Sequence, residues 1–104
     1  MKQLIQIHQL NKAFENRVRL GIMSSLVVNE QLDFNQLKEL LEVTDGNLAS
    51  HLKSLEELKY IKMEKSFIGR KPNTRYQISA IGRKAFQEHI NALEALLKLQ
   101  IGKG

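Results

Sequence analysis

The sequence contains no cysteine, which excludes disulfides, thiolate metal ligands and cysteine nucleophiles. This absence favours a reducing compartment, so we expect a cytoplasmic protein. A long apolar run is also lacking, because the longest uncharged stretch, residues 20–29, is roughly half of what a membrane-spanning helix needs. Residues 1–16 intersperse charged side chains among isolated apolar ones, and no signal-peptide core is visible. We therefore expect no membrane partner.

Groups suited to metal binding or catalysis are also scarce. The histidines are His8, His51 and His89. With no cysteine beside them, a zinc site would need carboxylates at ligand spacing, and no such spacing occurs. The serines at residues 24–25 lie in an apolar segment without a neighbouring base. The loop around Gly69 lacks the spacing of a phosphate-binding P-loop. We expect no cofactor, no metal and no enzymatic activity.

The chain has 104 residues, and its 42% hydrophobic and 26% charged residues are typical of one folded globular domain. Its formal net charge is +5. The excess lies wholly in residues 43–84, where nine lysines and arginines face four acidic residues, whereas seven of each sign cancel in the remainder. A basic excess confined to one segment indicates a polyanionic partner, although cations that only solvate a face would give the same count.

Apolar spacing predicts helices in the first part of the chain. Residues 2–14 carry apolar side chains three and four positions apart, which indicates an N-terminal helix. Residues 16–28 are apolar nearly all round, so a helix there must be buried on two sides. Residues 32–34 should be extended. Asp33 and Gln36 have the form of a capping box that opens a brief helix ending near Val43.

A third helix should follow, with Thr44 as its N-cap and Asp45 in its first turn. A leucine stripe marks its buried side: Leu48, Leu52, Leu55 and Leu58. The opposite side is small and polar, with His51 on its flank: Gly46, Asn47, Ser50, Lys53 and Ser54.

The period then changes from helical to alternating, which predicts a hairpin. Residues 61–68 form its first strand, residues 69–73 a turn by composition, and residues 74–79 its second strand. Ser79 should cap a final helix that reaches about residue 101 and is apolar over close to half of its circumference.

This order of elements resembles the winged helix-turn-helix transcriptional regulators, close to the MarR-like and ArsR-like groups. The residues that carry the resemblance are 34–37, 43–48, 50–52, 55–58, 69–72 and 79–82. The resemblance implies an α+β fold with a three-helix core and a two-stranded wing, extended by an N-terminal and a long C-terminal helix. As one domain over residues 1–104, it would comprise an N-terminal helix (1–15), the core (16–79, with the wing at 61–79) and a dimerisation helix (80–101).

Lys59 departs from the family, which usually has glycine there. Either Lys59 adopts a left-handed conformation or the helix ends differently.

The resemblance further implies a homodimer that binds a palindromic double-stranded DNA site and regulates transcription, more as a repressor than as an activator. The physical argument is that short polar side chains let a helix approach base edges in the major groove, where Asn47 can pair with adenine. Cations at the wing tip would contact the backbone or the minor groove. The candidate DNA-binding residues are Thr44, Asp45, Gly46, Asn47, Ser50, His51, Lys53, Ser54, Arg70, Lys71 and Arg75.

Surplus apolar residues near both termini predict a twofold interface, since large apolar patches are uncommon on monomers. The candidate dimerisation residues are Leu4, Ile7, Leu10, Phe14, Ile90, Leu93, Leu97 and Ile101. Alternatively, the two terminal helices of one chain bury these residues against each other. A small-molecule effector could bind at the interface.

Two other function classes remain open at this point. A winged helix can serve as a protein-interaction module, which would bind DNA weakly and without salt dependence. An RNA-binding module is disfavoured because Phe34, Phe67, Tyr76 and Phe86 fall on apolar faces and leave few aromatics for base stacking.

Overall fold

The computed structural model describes the backbone of residues 7–102 and the side chains of residues 7–98. Two 3-10 turns, Ile7–Gln9 and Lys12–Phe14, precede the regular elements. These elements are α1 (Arg17–Val28), β1 (Leu32–Asp33), α2 (Phe34–Leu41), α3 (Asp45–Glu57), β2 (Ile61–Ile68), β3 (Lys71–Ile78) and α4 (Ala80–Gly102). The predicted α+β class is confirmed.

The predicted N-terminal helix is wrong for the residues that the structure describes. Asn11 interrupts it, because its side chain accepts a hydrogen bond from the Ala13 N–H at 2.9 Å and starts a new turn. The backbone N–H of Asn11 donates to Nδ1 of His89 at 2.9 Å rather than to a carbonyl of a preceding helical turn. Leu4 lies outside the described residues.

The predicted cap of α2 is formed as the sequence indicates, and α1 is capped as well. The Asn16 side chain accepts from the N–H groups of Val18 and Arg19, and α1 begins there. Asp33 and Gln36 form the reciprocal capping box of α2. This helix ends at Leu41 rather than near Val43, since Glu42 takes a left-handed conformation with φ 52°.

The strands form one antiparallel sheet in the order β1-β3-β2. The extended piece at residues 32–34 therefore adds a third strand to the predicted two-stranded wing, with Leu32 opposite Tyr76. The turn is shorter than predicted: only Gly69 and Arg70 connect Ile68 to Lys71, and β3 already begins at Lys71.

The core lies between the helices and one face of this sheet. Its largest fully buried side chains are Phe14, Ile22, Met23, Leu26, Leu37, Leu48, Leu52 and Leu55. Phe14 is only 2% exposed, and its ring centroid lies 5.3 Å from those of Phe86 and His89. The prediction that Phe14 contributes to a dimer surface is therefore wrong, because this chain already buries it.

Two apolar residues that the sequence places on buried faces are exposed instead. Leu58 is 47% exposed because α3 ends at Glu57, one residue before the leucine stripe would continue. Phe67 is 73% exposed because the hairpin extends past the helices that cover the sheet.

Helix α4 begins where the sequence predicts. Oγ of Ser79 accepts a hydrogen bond from the Gly82 N–H at 2.9 Å, as an N-cap does. The 23-residue helix lengthens the molecule, whose Cα radius of gyration is 16.1 Å, whereas about 13 Å is usual for a compact chain of this length.

Candidate nucleic-acid interface

One side of α3 is buried and the other is polar and exposed, as the sequence predicts. The buried side consists of Leu48, Leu52 and Leu55. The exposed side chains are those of Thr44, Asp45, Asn47, Ser50 and Lys53, with Gly46 exposed among them and His51 and Ser54 half-buried at the margins. The structure therefore brings the predicted residues of this helix together on one face.

The first turn of α3 faces solvent with its N–H groups partly unpaired. Oγ1 of Thr44 accepts from the Asn47 N–H at 3.2 Å and confirms the predicted cap. The remaining N–H groups of the turn give this end of the helix a partial positive charge suited to a phosphate.

Asp45, a predicted DNA-binding residue, forms an ion pair with Lys38 of α2 at 2.7 Å between Oδ1 and Nζ. Both side chains are more than 40% exposed, so the pair stabilises the fold little. Its main effect is electrostatic, because Lys38 offsets a carboxylate that would otherwise repel an approaching polyanion.

The imidazole of His51 is oriented by Arg19, which the sequence reasoning missed. Nε of Arg19 donates to the Ala13 carbonyl at 2.6 Å, and Nη1 lies 3.1 Å from Nδ1 of His51. Because a guanidinium only donates, Nδ1 must accept, and the proton of the neutral ring is on Nε2. Burial and, second, the charge of Arg19 lower the pKa of His51. The presence of an arginine in a helix as apolar as α1 is the one sequence signal that could have indicated a polar contact with a neighbouring helix.

The connection from α3 to β2 is fixed by Lys59 and Ser79. Lys59 has φ 67°, the left-handed conformation that the sequence left as one of two alternatives. Its carbonyl accepts from Oγ of Ser79 at 2.6 Å, and the Tyr60 carbonyl accepts from the Ser79 N–H at 3.0 Å. The direction in which the wing leaves α3 is therefore set by bonds to the start of α4.

The wing tip consists of the turn at Gly69 and Arg70 and the residues that flank it. Gly69 has φ +65°, a conformation that glycine adopts without strain in a two-residue hairpin turn. Arg70 and Lys71 are both exposed, and the described residues place no ion-pair partner near either. The apolar neighbours Phe67 and Ile68 are exposed with them.

Arg75 lies apart from the tip, near the base of the wing. It is half-buried, and its Nε donates to Oδ1 of Asn73 at 2.9 Å. Its Cα partners are Asp33 on one side and Glu64 on the other. The two acidic neighbours and the hydrogen bond reduce the strength with which Arg75 can bind a phosphate. Sequence alone does not reveal these neighbours, because they lie on other strands.

The proposed dimerisation residues that the structure describes, other than Phe14, lie near the surface. Ile7 is 69% and Leu97 61% exposed, and Leu10, Ile90 and Leu93 are half-buried. Ile101 belongs to α4, but its side chain lies outside the described ones.

The segment that precedes α1 is attached to α4 by a buried histidine. Nδ1 of His89 accepts the Asn11 N–H, and Nδ2 of Asn11 donates to the Tyr60 hydroxyl at 2.9 Å. Burial lowers the pKa of His89, and Glu15 partly opposes that shift. An open cavity of about 840 Å³ lies next to this attachment, between residues 7–15 and Glu88 and Asn91 of α4.

Within the described part of the chain, no three histidine or carboxylate side chains lie close enough together to hold a metal ion. Across the same residues, no helix is both long and apolar enough to span a membrane.

Comparison with known proteins agrees with this geometry. The winged helix DNA-binding domain family matches residues 18–97. An uncharacterised protein of Methanocaldococcus jannaschii is 41% identical over 87 residues, which are 84% of this chain and 95% of that protein.

Solved structures show the same fold. The structure of a transcriptional regulator homologue from Pyrococcus horikoshii superposes with a TM-score of 0.78 at 32% identity, covering 83% of this chain and 85% of that one. A MarR-family regulator from Silicibacter pomeroyi has a TM-score of 0.66 at 15% identity, covering 89% and 64%, which shows likeness of fold alone. These matches confirm the predicted winged-helix fold and the resemblance to transcriptional regulators.

Proposed function

The chain belongs to the winged helix DNA-binding domain family, and from this premise we propose that it is a transcriptional regulator that binds specific double-stranded DNA as a homodimer. The observation that carries the proposal is the exposed polar face of α3, capped by Thr44 and followed by a cationic wing. A helix about 10–12 Å across fits the major groove, which is about 12 Å wide.

Each part of this surface has a role in the proposal. Thr44 and the first turn of α3 bind a phosphate, and Asn47 and Ser50 reach base edges. With its proton on Nε2, His51 donates a hydrogen bond to a base acceptor or a phosphate oxygen. Lys53 and Ser54 contact the backbone farther along the groove, and Arg70 and Lys71 contact the strand beside the wing.

The homodimer is proposed from the apolar residues of α4 and the preceding segment. Ile7 and Leu97 expose most of their side chains to solvent, and pairing across a twofold axis would bury them together with Leu10, Ile90 and Leu93. A symmetric dimer would place its two α3 helices about 34 Å apart, which predicts a palindromic site with half-sites one helical turn apart.

Regulation in this proposal is repression, because a dimer bound across a promoter excludes the polymerase without further machinery. In this proposal the protein catalyses no reaction. The cavity beside Leu10 and Asn91 lies next to the proposed dimer surface, and a small-molecule effector bound there would change how the two α4 helices pair.

Selection of bound fragments from a random duplex pool tests the proposal directly. We expect an enriched palindrome, an affinity that falls steeply with salt, and a dimer in sedimentation equilibrium. Weak binding without enrichment or salt dependence would contradict the proposal and favour a protein-interaction module. Enrichment of an asymmetric site by a monomer would contradict the dimer alone.

A further inference from the structure

The wing tip exposes two large apolar side chains next to its cations. Phe67 is 73% and Ile68 57% exposed, and both directly precede the turn at Gly69 and Arg70. Single exposed apolar residues are ordinary on protein surfaces, so the tip indicates a partner only where an exposed apolar side chain belongs to a larger apolar surface.

The two side chains lie on opposite faces of the hairpin. Strand alternation places Phe67 on the same face as Ile61 and Met63, the face that carries the core at the base of the wing. Tyr76 is buried in the core, whereas its partner Met63 is already 40% exposed, and Phe67 lies four residues beyond Met63, about 13 Å farther along the strand. The helices that cover the sheet therefore leave the ring of Phe67 in solvent.

Phe67 has an apolar cross-strand neighbour, whereas Ile68 has a charged one. Pro72 is the Cα partner of Phe67, and Lys71 is the partner of Ile68. In a two-residue hairpin the pair beside the turn is hydrogen-bonded and the next pair is not, so Pro72 loses no ladder hydrogen bond to β2. Strand β1 pairs only with Arg75 and Tyr76, and does not reach Pro72. The tip thus presents one apolar surface, formed by Phe67 and Pro72.

The charge around this surface selects its partner. Residues 61–78 contain five cations and one acid, Glu64. Two such hairpins would repel each other, which disfavours a wing-to-wing contact between copies of this chain. Phe67 and Pro72 lie beside the unpaired cations Arg70 and Lys71. A partner that fits both features has negative charges at its surface and apolar groups between them.

Stacked bases flanked by phosphates are such a partner, and we propose that Phe67 inserts between two base pairs of the minor groove while Arg70 and Lys71 bind the flanking phosphates. This inference rests on the proposed DNA-binding function and adds deformation of the DNA to it. The minor groove is about 6 Å wide, so the side chains of the tip fit where a helix does not. Apolar wedges of this kind unstack a step and kink the duplex.

The wedge gives the protein a sequence preference outside the site that α3 contacts. Pyrimidine–purine steps such as TA and CA/TG unstack most easily. Such a step should therefore recur at a fixed distance on both sides of the selected half-sites, although Phe67 forms no hydrogen bond with a base.

The experiment uses the full chain and a 30-base-pair duplex of its selected sequence, with 2-aminopurine at the flanking step and a donor–acceptor dye pair at the ends. We expect binding to raise the 2-aminopurine fluorescence about threefold and to increase energy transfer between the ends, because the step unstacks and the duplex bends.

Phe67→Thr keeps a strand-forming residue and should abolish both signals, while its salt slope remains that of the unsubstituted protein. Ile68→Thr is the matched control and should keep both signals.

The outcomes separate this inference from the proposed function. Failure of the unsubstituted protein to bind any duplex contradicts both. Tight, salt-dependent binding without a fluorescence change or bending contradicts the wedge alone. Loss of the signals in Ile68→Thr but not in Phe67→Thr also contradicts it. Binding to phosphatidylserine vesicles through Phe67 in the absence of duplex binding would overturn it in favour of a membrane surface.

Discussion

The backbone of Gly82 lies directly against the carbonyl group of Tyr60, with no space for a β-carbon between them. The same carbonyl accepts a hydrogen bond from the Ser79 N–H, and Oγ of Ser79 accepts the Gly82 N–H. The start of α4 is thereby packed on the loop that connects α3 to β2, and the orientation of the wing depends on this contact.

Replacing Gly82 by Ala should therefore destabilise the fold by about 3 kcal/mol, because the atom in the way belongs to the backbone and cannot rotate aside. The free energy of unfolding from urea titration measures this loss. Gly46→Ala is the control, since among the described residues no atom outside its chain neighbours and its own helical backbone lies within 4 Å of the position its β-carbon would take. It should leave stability unchanged or raise it by up to about 1 kcal/mol. Equal effects of the two substitutions would contradict the close packing.

Replacing Lys59 by Gly should raise the free energy of unfolding by about 1 kcal/mol, because glycine adopts the left-handed conformation of this residue without steric cost. Lys59→Ala separates this effect from loss of the lysine side chain, and it should give no gain. Glu42→Gly, at the other left-handed helix end, should change stability in the same direction. Denaturant midpoints at constant m-value test all three variants.

Replacing Arg70 and Lys71 together by Ala should weaken binding to every DNA sequence and flatten the slope of log affinity against log salt by up to about two units. The cause is that fewer counterions are released when the wing carries less charge. Fluorescence anisotropy over a range of salt concentrations measures the slope. The double variant Lys12→Ala with Lys98→Ala removes the same charge elsewhere and should leave the slope unchanged. A similar loss in both variants would remove the wing from the interface.

Replacing Asn47 by Ala should reduce discrimination between sites rather than general affinity. A bidentate contact from its amide to adenine would contribute about 1–3 kcal/mol to specificity. The ratio of affinities for the selected duplex and a random duplex gives the measurement. Gln87→Ala removes an amide on the exposed side of α4 and should not alter the ratio. Equal losses of affinity for both duplexes would refute the base contact.

Acidification should destabilise the protein through His89 and His51, because the pKa of each is below 6.5 in the folded state. The unfolded state then binds more protons, so the stability that these two histidines contribute is fully present well above pH 6.5 and is lost as the pH falls through that value toward their folded-state pKa. Urea titrations between pH 7.5 and 5.5 measure the profile before most carboxylates titrate. His89→Gln and His51→Gln should each flatten it, and a double variant with the original slope would contradict this origin.

The regular elements could be predicted from the sequence because each has a local signal. The capping box at Asp33, the cap at Thr44 and the change to alternation after Tyr60 depend on near neighbours only. The N-terminal segment could not be predicted in this way, since Asn11 bonds His89, 78 residues away in sequence. Apolar spacing in this segment is helical, but the tertiary hydrogen bond decides its conformation.

The candidate site could also be predicted only where its signals are local in sequence. The polar face of α3 follows from its helical period, and its members are exposed except Ser54, which is half-buried at the margin. The contact between Arg19 and His51 joins two helices and leaves no pattern within either. Exposure of Phe67 depends on how far the hairpin extends past the helices, which alternation along a strand does not reveal.

Residues 11–13 form a short mechanical linkage across the molecule. Asn11 is bonded to His89 of α4, and the carbonyl of Ala13 is bonded to Arg19, whose guanidinium touches the imidazole of His51 on α3. A shift of α4 must either break the Asn11–His89 hydrogen bond or move residues 11–13 together with the helix. In the second case Arg19 moves relative to His51. In the proposed dimer on DNA, a displacement of α4 would in this way change the position of His51 at the margin of the polar face of α3.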